Sequence, residues 1–237
     1  MTIRSAVAIL VALTLGASAC VEDDTSFYIK GMRAPESGCA TPAPGGTTFV
    51  GTGQLDVAAK FGYLAFPEVL NALGSSTVNQ PGQPENNILQ MRSYRISLDT
   101  SEIPASFPAA LTTLSFPTSG SIQPNGAMVT PIQVISNELA ALLADTVPKG
   151  VQRTVYASVH AVATMTGGEK ESALFVFPVI VCNGCLVEFL TGQPCPAPNE
   201  STAKFKTNTC GLPQDEPVTC CTETSGATRC LQAGTGT

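Results

Sequence analysis

The chain is predicted to be mainly β: an antiparallel β-sandwich with one crossover helix and a disulfide-rich C-terminal tail. Three observations lead there. Apolar and polar residues alternate with period two over much of residues 26–181, Pro, Gly and Ser clusters separate those runs, and seven of the nine cysteines fall after Val181. A single segment carries a strong helical pattern, too few for a βαβ architecture.

Composition narrows the function classes. The 237 residues are 43% apolar and 13% charged, with a mean hydropathy of +0.20, which describes a folding chain rather than a disordered one. Twelve basic residues against eighteen acidic ones give a net charge of -6, so the basic footprint of a nucleic-acid binder is missing. One His and no Trp leave few ingredients for catalytic or sugar-stacking sites.

Residues 1–19 have the parts of an export signal: one basic side chain, Arg4, an apolar run over 6–15, then small residues. The run is shorter than the about 20 apolar residues of a spanning helix. The acidic segment Glu22-Asp23-Asp24 follows soon after. The junction Leu15-Gly16-Ala17-Ser18-Ala19-Cys20 resembles a bacterial lipobox. That resemblance implies a lipoprotein signal peptide at 1–19, lipidation of Cys20 with palmitate-type acyl chains, and a tether over 20–25. The other reading is an ordinary signal peptide cleaved after Ala19, with Cys20 a plain thiol or a disulfide partner. Parity separates the two. Setting Cys20 aside leaves Cys39, Cys182, Cys185, Cys195, Cys210, Cys220, Cys221 and Cys230, an even set suited to disulfides in an oxidising compartment. Several acyl chains, at about 0.8 kcal/mol per buried methylene, hold a domain firmly where one holds it reversibly. By the same resemblance, Val21 rather than Asp after the cysteine implies the outer membrane.

Within the body, residues 26–181, Phe27 and Ile29 open the first strand. The loops 36–53 and 74–87 are rich in Gly, Pro, Thr, Asn and Gln and are expected at the surface. Leu55, Val57, Ala59, Phe61, Tyr63 and Ala65 alternate with Asp56 and Lys60, which predicts a strand with both charges outward. Pro67, Glu68 and Gly74 suggest a short helical turn over 67–73. Tyr94, Ile96 and Leu98 against Arg95, Ser97 and Asp99 predict another strand. Asn125-Gly126 suits a tight hairpin turn splitting the β-rich stretch 114–135, and Pro131 confines the second half to an edge or bulge. Ser136 is a helix cap followed by Leu139, Leu142 and Leu143 at helical spacing. Glu138 in the first turn suits the dipole, and Pro148 and Gly150 form the stop.

The longest alternation places Val151, Arg153, Val155, Ala157, Val159, Ala161, Ala163 and Met165 on one face, with Gln152, Thr154, Tyr156, Ser158, His160, Thr164 and Thr166 on the other. Gly167-Gly168 then turns the chain into a second strand, with Ala173, Phe175, Phe177, Val179 and Val181 on one face and Ser172, Leu174, Val176, Pro178 and Ile180 on the other. Apolar on both faces, this second strand is expected to be covered more deeply than the first.

In the tail, residues 182–237, apolar periodicity stops and few large apolar side chains remain. Covalent closure of loops, at about 2–4 kcal/mol per bridge, can replace the missing core. Seven tail cysteines are an odd number, so Cys39 is expected to bridge to one of them. Cys182-x-x-Cys185 has zinc-ligand spacing, yet no second such pair follows and His160 lies far upstream, so no metal or cofactor is expected. A thioredoxin-like role needs a helix starting at the first cysteine, where Asn183-Gly184 reads as a turn.

No catalytic residue is assigned. His160 is the one available imidazole base and no Gly-x-Ser-x-Gly elbow accompanies it. A carboxylate pair distant in sequence stays open as glycosidase chemistry. Gly51-Thr52-Gly53 beside Asp56 lacks the spacing of a phosphate loop, and Glu22-Asp23-Asp24 reads as a solvated tether rather than a calcium site.

The lipobox, the body ending in Phe177-Pro178-Val179-Ile180-Val181-Cys182-Asn183-Gly184-Cys185-Leu186, and the tail segment Gln214-Asp215-Glu216-Pro217-Val218-Thr219-Cys220-Cys221 together resemble uncharacterised cysteine-rich bacterial surface lipoproteins. The body is also similar in strand count and turn spacing to an immunoglobulin-like sandwich, without its buried Trp and inter-sheet cysteine pair. The leading expectation is a non-enzymatic outer-membrane lipoprotein, an envelope structural, adhesion or assembly component with a protein partner at its sheet edges and no nucleic-acid partner. The alternative is an accessory ligand-binding lipoprotein with a pocket in the loops or between sandwich and tail. A cleft holding two carboxylates, or a carboxylate facing His160, would revive an enzyme reading.

Overall fold

Period-two alternation becomes strand wherever one face finds apolar company, and the chain is mainly β with largely antiparallel sheets. The computed structural model describes residues 26–75, 85–190, 195–196 and 205–231. The signal segment, Cys20, the tether and residues 76–84 of the 74–87 loop lie outside them. The body strands are β1 (Phe27–Arg33), β2 (Phe49–Val50), β3 (Gly53–Asp56), β4 (Tyr63–Ala65), β5 (Pro67–Asn71), β6 (Leu89–Asp99), β7 (Thr113–Ile122), β8 (Ala127–Val129), β9 (Ile132–Ile135), β10 (Gln152–Met165), β11 (Gly168–Glu171) and β12 (Phe175–Cys182). The tail adds β13 (Val187–Phe189), β14 (Val218–Thr222) and β15 (Thr228–Cys230).

The larger body sheet runs β3-β12-β10-β6-β7, with β11 also paired to β10; a second runs β2-β1-β5-β8, and β4 pairs with β9. Two pairings depart from the antiparallel expectation: β3 runs parallel to β12 and β13 parallel to β14. Both main sheets feed one core, in which Phe27, Ile29 and Val69 join Ile96, Val159 and Phe177. Each such side chain contributes about 1.5–3 kcal/mol by leaving water.

A helix of 4 residues, not expected from the sequence, forms at Ala109–Thr112; the expected helix forms at Asn137–Thr146, where Ser136 Oγ accepts from Leu139 N at 3.1 Å. Leu139 and Leu143 enter the core while Leu142 stays exposed. It links β9 to β10, so it is a crossover between strands of different sheets. No helix among the described residues is long and apolar enough to cross a membrane.

Several local expectations give way to tertiary pairing. The 55–65 run is no single strand: it breaks into β3, a 3-10 turn at Val57–Ala59, and β4, and Asp56 points inward rather than out. The expected helical turn at 67–73 is instead β5, hydrogen-bonded on one side to β1 and on the other to β8. Its Glu68 is buried between Lys30 and Arg33, so a charge that looked like a helix-start signal is an ion-pair partner across strands. Asn125 does take a positive φ of 57°, with Pro124 before it and Gly126 N donating to Gln123 O at 2.8 Å. That turn does not make a hairpin, because β7 pairs with β6 and β8 with β5.

The β10–β11 hairpin pairs Met165 with Gly168, so its two-residue loop is Thr166-Gly167, one position earlier than the Gly-Gly reading. β12 is not covered on both faces. Phe177, Val179 and Val181 are buried, but Leu174 just before it and Val176 within it are 55% and 48% exposed. Apolar residues on both faces bury only where a second layer covers them, and here one face is solvated.

Candidate functional site at the body–tail junction

β3 and its parallel neighbour β12 end side by side, at Asp56 and Cys182, and the chain leaving β12 becomes the tail. The Asp56 carboxylate lies at this seam with no solvent exposure. Oδ1 accepts from Ala58 N at 2.9 Å and Gly184 N at 2.8 Å; Oδ2 accepts from Leu186 N at 2.7 Å and Val187 N at 2.8 Å. Four N–H donors fill the lone-pair positions of one carboxylate, which is how a buried charge can be tolerated without a cation. The inward turn of Asp56 thus fixes the Asn183-Gly184 turn and the start of β13.

The second contact comes from the Gln214-Asp215 pair. Gln214 places its carboxamide against the backbone of Leu64 as a strand would, with Oε1 accepting from Leu64 N at 3.0 Å and Nε2 donating to Leu64 O at 3.0 Å. Asp215, at φ 61°, donates its N–H to Gln54 O and accepts from Gln54 N on Oδ1, both at 2.8 Å. The Tyr63 hydroxyl donates to the same carboxylate, 3.0 Å from Oδ2. Gly53 is required beneath this contact, since a Cβ there would come within 2.6 Å of the Tyr63 hydroxyl oxygen. Burial pushes the Asp215 carboxyl above its usual range, with the Gln54 N–H and the Tyr63 hydroxyl pulling back. Burial, and then the Asp215 charge, push the Tyr63 hydroxyl well above 10.0.

Disulfides complete the junction. Cys39 joins Cys210, Cys182 joins Cys185, Cys195 joins Cys221, and Cys220 joins Cys230. The first ties the 36–53 loop to the tail, and the last crosses the β14–β15 pair, where Cys220 stands opposite Cys230. A small tail core gathers Val218, Cys220 and Cys230 with Ala59 of the body. Oxygen of Asp56 and the sulfurs of Cys182 and Cys185 lie within 4.8 Å of one another, a grouping of metal-ligand type. The arrangement does not fit a cation: the sulfurs are bonded together and the carboxylate is already saturated by four N–H groups.

A cleft of ≈ 260 Å³ opens between the two regions, walled by Ala34, Pro35 and Val50 from the body and by Asn208, Thr209, Cys210, Gln214, Asp215 and Glu216 from the tail. Asn208 is buried in that wall; its Nδ2 donates to Leu212 O at 2.5 Å and Glu216 O at 3.2 Å. Its Oδ1 has no hydrogen-bond partner among the described residues.

His160 lies elsewhere, in a groove of ≈ 400 Å³ on the solvated face of the larger sheet, with Arg95, Ser97, Ser115, Ser158 and Glu171. Its Nδ1 is 3.0 Å from Ser172 O and 3.8 Å from Glu171 Oε1, while Arg95 bridges Glu169 and Glu171. A carboxylate therefore does face the imidazole. Among the described residues no hydroxyl hydrogen-bonds to the ring, so the nucleophile–base contact of acyl transfer is missing.

Sequence reasoning missed the roles of Asp56, Tyr63 and the Gln214-Asp215 pair. The last was visible as a distinctive segment, but nothing in its spacing pointed to Leu64 and Gln54. Compared with known proteins, the chain matches no family model and no curated sequence.

Proposed function

We propose that the protein is a non-enzymatic, lipid-anchored component of a bacterial outer membrane, with an immunoglobulin-like body and a role in envelope structure, adhesion or assembly. The observation that carries this reading is the pairing of eight cysteines among themselves, an even set that stands apart from Cys20 in its lipobox-like context. The immunoglobulin-like description is supported by two main sheets that share one core. The exposed Tyr156 and Val176 on the larger sheet, with Leu174 just before β12, suit an assembly surface. Replacing Cys20 by Ser is expected to move the protein from the membrane fraction to the soluble fraction with an unchanged melting temperature. Retention of the variant in membranes overturns the anchor.

The cleft between body and tail favours a second reading, an accessory ligand-binding lipoprotein. Its ≈ 260 Å³ is below the about 300–1,000 Å³ of drug-sized sites, so the occupant would be a small molecule or a single side chain. Native mass spectrometry of protein purified from envelopes distinguishes the two: a stoichiometric small adduct supports binding, and a crosslinked protein partner supports assembly.

A further inference from the structure

The four disulfides differ in what they can do for the fold. Three span sequence separations of 171, 26 and 10 residues, whereas Cys182–Cys185 spans 3. A crosslink restricts the unfolded chain more the longer the loop it closes, so the shortest ring restricts it least. It is also locally redundant. Asp56 accepts from the N–H groups of Gly184, Leu186 and Val187, so the same segment is tied by hydrogen bonds besides the bridge.

The two sulfurs are unequally placed. Cys185 is the exposed residue among the eight paired cysteines, and Cys182 is completely buried. The Leu55 carbonyl oxygen lies 3.5 Å from Cys182 Sγ, placed to accept from the thiol that opening the bridge would create. Gln54 Nε2 is 3.6 Å from Cys185 Sγ, placed to donate to a sulfur there. Both products of reduction therefore have polar partners already in position. Cys182 ends a strand, so no helix N-terminus activates either thiol. Cys185 is therefore the sulfur of the pair that an external nucleophile can reach.

We propose that Cys182–Cys185 is a thiol–disulfide exchange site, opened by an external dithiol that attacks Cys185 while the other three bridges stay closed. The entering thiolate bonds to Cys185 Sγ as the Sγ–Sγ bond breaks, and Cys182 leaves with the electron pair and takes up a proton. The second thiol of the reductant, itself deprotonated, then attacks its own mixed-disulfide sulfur and releases Cys185, which takes up the second proton. The dithiol is oxidised to a disulfide, and the protein bridge is reduced to two thiols.

The folded full chain is titrated with dithiothreitol without denaturant, alkylated, and mapped by peptide mass. Cys182 and Cys185 are expected to label at reductant concentrations about tenfold below those that open any other bridge. Opening of another bridge first, or of all four together, overturns the proposal. Glutathione in place of the dithiol is expected to leave its adduct on Cys185; an adduct on Cys182 contradicts the assigned direction of attack. The paired change Cys182→Ser with Cys185→Ser is expected to lower the melting temperature less than Cys39→Ser with Cys210→Ser. An equal or larger loss shows that the short ring is structural and sinks the idea.

Discussion

In the body, Phe177, Val179 and Val181 share a core with Phe27, Ile29 and Val69, contributed by strands that lie far apart in sequence. Further along the same chain, the tail core contains Val218, Cys220 and Cys230, and it borrows Ala59 from the body. The body has enough large apolar side chains to offset the entropy of ordering its strands, whereas the tail does not. The tail is held by joined sulfurs and by side chains that reach backbone groups across the junction: Asp56 of the body receiving N–H groups from the tail, and Gln214 and Asp215 of the tail engaging Leu64 and Gln54. The difference teaches that one chain can be stabilised in two ways, by exclusion of water where apolar residues are plentiful and by specific polar and covalent ties where they are scarce.

Three changes test that contrast. The largest effect is expected from Phe177→Ala, which removes a buried aromatic ring and costs about 3–5 kcal/mol. Denaturant unfolding is expected to show one earlier transition for body and tail alike; loosening confined to the tail would break the contrast. Next, Cys39→Ser with Cys210→Ser is expected to cost about 2–4 kcal/mol, with hydrogen-exchange protection lost over 205–231 while β6 and β10 keep theirs. Equal loss in β10 would mean that the tail is part of the body's cooperative unit.

The smallest effect belongs to Asp215. Burial raises its folded carboxyl above the ordinary 3.8, so the folded chain binds that proton more tightly than the unfolded one. Its contribution to stability therefore falls as pH rises from 3.8 through the raised folded value. Asp215→Asn keeps an oxygen for Gln54 N and removes the titration. Melting temperatures of variant and parent, compared from acid to neutral pH, are expected to shift in favour of the variant as pH rises. A constant offset would leave the Asp215 carboxyl without a part in the pH dependence.

The strands that the sequence made legible are those with one face in the core. Tyr94, Ile96 and Leu98 are buried while Arg95, Ser97 and Asp99 are exposed, so period two predicts β6 correctly. The helix was equally visible because its signals are local: a Ser cap, an acidic first turn and Pro-Gly termination. Asp56 was not legible as an inward residue, because three of its four donors come from residues 184–187, and alternation treats any charge as solvent-facing. The helix-start signal at Pro67-Glu68 lost to pairing with β1 and β8, which are distant in sequence. Counting sulfurs suggested a link from Cys39 to the tail, but which cysteine receives it depends on folding that brings together positions 171 apart.

The Cys39–Cys210 bond also has a mechanical consequence. A chain pulled from its two ends transmits tension along its shortest covalent path, and this bond removes residues 40–209 from that path. Cys220–Cys230 shortens it again. Under load, β1 can peel from β5, but the hairpin of β10 and β11 lies in a slack region and bears no direct pull. The fold is wired so that stretching is limited before most of its sheet is reached.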